Sequence, residues 1–287
     1  MTTITPTPTA ARTVQRVPAS ASTLGFGGVL RSEWIKLRSL RSTVWSYISV
    51  IVISLGMALL LTLTTANGGD DAPDTLGGSA EQHVGLFVQS STFGVFLAQL
   101  VVAVLGVLVI SGEYGTGMSR STFTAVPRRL PVLAAKALVL FVVTFLVGLV
   151  AMVGSYLVST AVYAGYDVSA SLADPDLFMP ILGASLYLAL VAVFSLGVGF
   201  MVRSSAGGIG IVLGLLLVVP TILQLIPADW AQDLHPYLLS MAGTNMFAPT
   251  ELTGTEVLTA WQDLLVVLAW VSASLGGAAA LLVKRDA

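Results

Sequence analysis

Cysteine is absent from this 287-residue chain, which excludes a disulfide framework, thiolate catalysis and any cysteine-based metal site. Histidine is nearly absent: His83 and His235 stand alone and far apart, so a structural zinc site has no ligand set. Charge is the third scarcity. Only 10% of residues are Asp, Glu, Lys or Arg, where a soluble domain carries roughly 25%. Lipid-facing surface cannot hold ionised groups cheaply. The shortage of charge, with 55% apolar residues and a mean hydropathy of +0.90, therefore points to a chain solvated by a bilayer. Motifs are missing too. There is no Gly-x-x-x-x-Gly-Lys-Ser/Thr loop to cradle ATP, no H-E-x-x-H and no G-x-S-x-G. No carboxylate or lysine interrupts the middle of an apolar run, which argues against a proton- or sodium-coupled carrier.

What is present is six apolar runs, at 44–64, 91–110, 137–160, 180–202, 207–226 and 263–283. About 20 helical residues cross the hydrocarbon at 1.5 Å each, so each run is long enough to span. None alternates with period two, which excludes a transmembrane barrel. The expected fold is an all-α polytopic membrane protein with six transmembrane helices. Residues 1–26, rich in Thr, Pro, Ala and Ser, read as a disordered tail, and 27–287 as one membrane domain.

Charge is sorted by segment. Six spans leave both termini on one side, and all thirteen Lys and Arg fall there. Twelve of the fifteen acids fall on the other side; the exceptions are Glu33, Glu113 and Asp286. Lys and Arg favour cytoplasmic loops, so both termini are expected in the cytoplasm.

Three stretches carry further information. Residues 28–41 read as an amphipathic helix before the first span, with Leu30, Trp34 and Leu37 on one face and Ser32, Lys36 and Ser39 opposite. Arg31, Lys36, Arg38 and Arg41 could meet lipid headgroups while Trp34 sits in the interface. Within the spans, Gln99 either faces the bundle interior or is a locally bonded packing residue. Gly210-x-x-x-Gly214 has the spacing for close helix approach, and Pro220 could kink the fifth span. The polar island at 112–136 is read as a loop between spans two and three. Glu113 and Tyr114 open it, a short helix is expected at 119–126, and Arg128-Arg129 lie between Pro127 and Pro131. Its bases either tie the loop to headgroups and set topology, or the loop passes a partner's motion to two spans.

The stretches LRSEWIKLRSLRST at 30–43, GEYGTG at 112–117 and STFTAVPRR at 121–129 resemble the permease subunits of type-2 ATP-binding-cassette (ABC) exporters, in particular the actinobacterial branch. With the six-span pattern, the resemblance covers about residues 27–285. It implies a cytoplasmic elbow helix at 28–41 and a coupling segment at 113–129 resting on a separate ATPase subunit, with Glu113, Tyr114, Arg120, Arg128 and Arg129 as its contact residues. It implies a second permease copy or homologous permease, with Gln99, Gly210 and Gly214 as pathway or dimer-interface candidates. It also implies a bacterial plasma-membrane location and ATP-Mg held only by the partner, the chain itself binding no cofactor, metal or nucleic acid. Many relatives carry a base where Gly115 stands, so a charge contact at that position is not carried over. A non-transporting immunity or regulatory subunit would need the same spans. The cargo is open, with an apolar or amphipathic compound favoured by uncharged spans.

Overall fold

The computed structural model describes residues 25–68, 76–115, 129–247 and 258–284. Every regular element among them is helical: α1 (Phe26–Ser39), α2 (Arg41–Ala66), α3 (Ala80–Thr92), α4 (Val95–Gly115), α5 (Arg129–Tyr163), α6 (Pro175–Val202), α7 (Ser205–Leu213), α8 (Val219–Leu225), α9 (Asp229–Leu234), α10 (Leu239–Asn245) and α11 (Ala260–Lys284). Six stretches among the described residues are long and apolar enough to cross a membrane: α2, α3–α4, α5, α6, α7–α8 and α11.

Burial is inverted relative to a water-soluble bundle. The stripe α2 turns inward is Thr43, Tyr47, Val50, Ser54, Ala58, Thr62 and Ala66, which is mostly small or hydroxyl-bearing. Its large apolar residues, such as Val52 and Leu60, are exposed. Helices in lipid gain little by hiding leucine from hydrocarbon; they associate through close packing and interhelical hydrogen bonds. Such bonds are present here. Tyr47 Oη and Thr144 Oγ1 lie 2.9 Å apart, and Thr62 Oγ1 lies 3.1 Å from Ser159 Oγ. The centre of the bundle is α6, buried almost without a break from Ala184 to Phe200 and packed against α4, α5 and α11.

The six stretches are where the apolar runs place them, but several helices begin earlier. The segment before the second span, expected to be loop up to residue 90, contains α3. Ser79 caps it by accepting from the Gln82 backbone N–H while Gln82 caps the Ser79 N–H in return, a reciprocal capping box. α5 starts at Arg129, not near 137, so Pro131 lies in a first turn where its missing N–H costs nothing. α6 starts at Pro175, capped by Asp174, and runs through Pro180. Pro220 is the second residue of α8. A π-helical turn, Gly214–Val218, separates α7 from α8 just before it, a widened turn of the kind that recurs at functional positions. The segment between the last two spans holds α9, a 3₁₀ turn at His235–Tyr237 and α10.

The described bases gather at one end of the bundle, on α1, the starts of α2 and α5, the end of α6 and the end of α11; the acids Glu81, Asp167, Asp174, Asp176, Asp229, Asp233 and Asp263 mark the other. These are called the basic and acidic ends below.

Candidate functional site: an ionic ring at the basic end

α1 is joined to α2 through one extended residue, Leu40, whose N–H bonds back to the Lys36 carbonyl. Its buried face is Val29, Glu33 and Leu37, one helical position away from the expected Leu30–Trp34–Leu37 face. Val29 packs against Val132 and Ala135 at the start of α5, while Trp34 stays 47% exposed. That rotation turns Glu33 and Lys36 inward, while Arg31, Arg38 and Arg41 are exposed.

Four charges from three helices close a ring there. Lys136 of α5 donates to Glu33 Oε2 at 2.5 Å and to Glu113 Oε1, at the end of α4, at 2.8 Å. Lys36 donates to Glu33 Oε1 at 2.7 Å and to Glu113 Oε1 at 3.3 Å. Each base touches both acids. The side chains of Glu33 and Lys136 are 3% exposed, Glu113 11% and Lys36 23%. Burial pushes the Glu33 carboxyl up, but the charges and hydrogen bonds of Lys136 and Lys36 outweigh it and hold the group below the ordinary carboxylate value. Burial pushes the Lys36 ammonium down, and Glu33 and Glu113 more than reverse that. Both shifts favour the charged forms. The free space among these residues is about 10 Å³, room for at most one water. The ring is thus a clamp and not a ligand pocket, and no group of three or more His, Asp or Glu able to hold a metal occurs among the described residues.

The next residue along α4 faces another way. The Tyr114 ring carries the Arg203 guanidinium 5.2 Å from its centre and meets Phe200 edge-on, an attraction between a cation and the negative ring face. Arg203 ends α6 in the left-handed region at φ 55°. Ser204 then caps α7 by accepting from the Gly207 N–H, and Ser205 donates to Ser111 Oγ at 2.8 Å. The last turn of α4 therefore grips α1 and α5 through Glu113, and the α6–α7 turn through Tyr114 and Ser111. Side chains tie four of the long stretches and α1 together here.

Of the residues expected at the coupling segment, Glu113 and Tyr114 are at this hub. Arg129 opens α5, and Arg120, Arg128 and the short helix expected at 119–126 lie outside the described residues, as does the expected tail up to residue 24; Phe26, its last residue, opens α1. Gln99 is 2% exposed and bonded within the chain: Tyr187 donates to its Oε1 at 2.5 Å, and its Nε2 donates to the Phe96 carbonyl. Gly210 and Gly214 have nothing among the described residues within 4 Å of where a Cβ would stand. Reasoning from sequence missed Glu33, Lys136, Arg203 and the Ser111–Ser205 bond. A signal was available, because Glu33 and Glu113 are two of the three acids that break the charge sorting.

A bundle of six bilayer-length helices with a packed, charged clamp at one end defines a polytopic membrane protein. The family model described as ABC-2 family transporter protein matches residues 29–221. The chain belongs to that family: it is a multi-pass permease of an ABC system, not itself catalytic. The match takes in α1 from Val29 onward and every residue of the ring. No curated protein matches the chain.

Proposed function

We propose that the chain is the membrane half of an ATP-driven exporter, with its basic end in the cytoplasm of a bacterial cell. A separate ABC ATPase, holding ATP-Mg, presses on the segment at 113–129, and α1 lies in the interface as an elbow helix. Two permeases, identical or homologous, enclose the path. The observation that carries this reading is the grip of Glu113 on α1 and α5 at the root of that segment. A push delivered there moves a bracket of three helices as a unit, and through Tyr114 and Arg203 it reaches α6 and α7. The open face at Gly210 and Gly214 offers small residues to a second copy, a packing mode suited to lipid.

The test is export from proteoliposomes containing the permease with or without its ATPase. ATP-dependent export of cargo is expected only when the ATPase is present. Equal ATP-dependent export without it would overturn the reading.

A further inference from the structure

The acidic end holds a cavity that the coupling account does not use. We propose that it binds a drug-sized organic cation with an apolar body. The cavity, about 720 Å³, lies between the end of α8 and the chain that folds back over it as α9 and the His235–Tyr237 turn. That size falls within the roughly 300–1,000 Å³ typical of small-molecule sites.

The walls have a definite chemistry. Leu223 and Pro236 supply apolar surface, and Leu223 belongs to a small buried cluster with Ala231 and Leu238 that holds the fold-back together. Gln224 and Gln232 offer amide oxygens, His235 an imidazole, and Tyr237 a ring that is 46% exposed. Among the described residues lining the cavity, the formally charged side chain is Asp233 and none is Lys or Arg; every described Asp and Glu at this end adds to a negative field that concentrates cations. The rim is held in place: Trp270 of α11 donates from Nε1 to the Tyr237 carbonyl at 3.0 Å.

These features discriminate between ligand classes. An anion would face the Asp233 carboxylate with no compensating base among the described lining residues. A bare divalent cation would lack ligands, since no cluster of three His, Asp or Glu occurs among the described residues. A protonated or quaternary amine on an apolar scaffold satisfies all the walls at once. The carboxylate and amide oxygens take the positive head, the Tyr237 ring adds a cation–π contact, and the body lies on Leu223 and Pro236.

Only the further step, that such a cation is cargo, rests on the export reading; binding requires neither ATPase nor transport. The test uses the full chain in an uncharged detergent, with rhodamine 6G as the cationic probe and fluorescein as an anion of similar size, read by fluorescence polarisation. Rhodamine 6G is expected to bind and fluorescein not to. Asp233→Asn should weaken rhodamine binding at least about tenfold, the loss expected for a hydrogen-bonded charge, and Tyr237→Leu should weaken it severalfold. Asp233 is exposed, so the Asn variant should keep the parent's thermal unfolding midpoint. Unchanged rhodamine affinity in Asp233→Asn, or equal binding of fluorescein, would overturn the assignment and leave ATP-dependent export untouched.

Discussion

Lys136→Met will destabilise the basic end of the bundle by roughly 3–5 kcal/mol, the usual cost of removing one partner from a buried ion pair. Methionine keeps the length and apolar stem of lysine, so packing is little disturbed and the loss reports the charge. Glu33 would then depend on Lys36, the most exposed member of the ring, which it shares with Glu113. Glu33, 3% exposed, would keep a buried carboxylate with half its bonds. Thermal or denaturant unfolding in detergent measures the cost. Adding Glu33→Gln to Lys136→Met should recover part of it, because the second change removes the stranded charge. Exchanging the two residues, Glu33→Lys with Lys136→Glu, should not recover it. The new lysine would stand against Lys36 and the new glutamate against Glu113, because each base in the ring touches both acids. A cost below about 1 kcal/mol for Lys136→Met, the range of exposed pairs, would mean the ring does not hold in solution.

The second large effect is expected from a single methyl group. Gly106 of α4 lies against the backbone of α6, and a Cβ there would stand 2.4 Å from the Ala192 carbonyl oxygen and 2.8 Å from Ser195 Cβ. A carbonyl in the middle of a buried helix has no rotamer to escape into, so α4 and α6 must separate. Overpacking of this kind costs about 1–3 kcal/mol and sometimes more. Gly106→Ala should lower the unfolding midpoint clearly. Gly210→Ala is the control: it meets nothing within 4 Å and gains up to about 1 kcal/mol of helix propensity, so the isolated chain should be unharmed or stabilised. If both changes behaved alike, the close α4–α6 contact would be wrong.

Much of the fold was legible because bilayer thickness and charge sorting are strong constraints. The tight turn at Arg203 between α6 and α7 follows from a lone base among apolar residues. The extensions were less legible, because hydropathy marks where lipid ends, not where the helix ends. α3 carries Glu81, Gln82 and His83 in its first turn and so read as loop, although its Ser79–Gln82 capping box was in plain view. Lys136 read as a loop base for the same reason, yet it lies within the second turn of α5. Hydrophobicity marks an apolar face of α1 toward lipid but no face toward the bundle, and that docking face is chosen by Glu33 and its partner 103 residues away. No periodicity within α1 contains that information. Only the anomaly of two acids on the basic side pointed toward it.

The proposed function depends on which compartment the basic end faces, since in that proposal the ATPase presses on the segment at 113–129 from that side. The chain has no cysteine, so single cysteines can be placed on a silent background. Ser39 at the basic end and Ser169 at the acidic end are both exposed. In intact cells treated with a membrane-impermeant maleimide, Ser169→Cys should be labelled at once and Ser39→Cys only after the membrane is opened. Labelling of Ser39→Cys in sealed cells, with Ser169→Cys protected, would contradict the account.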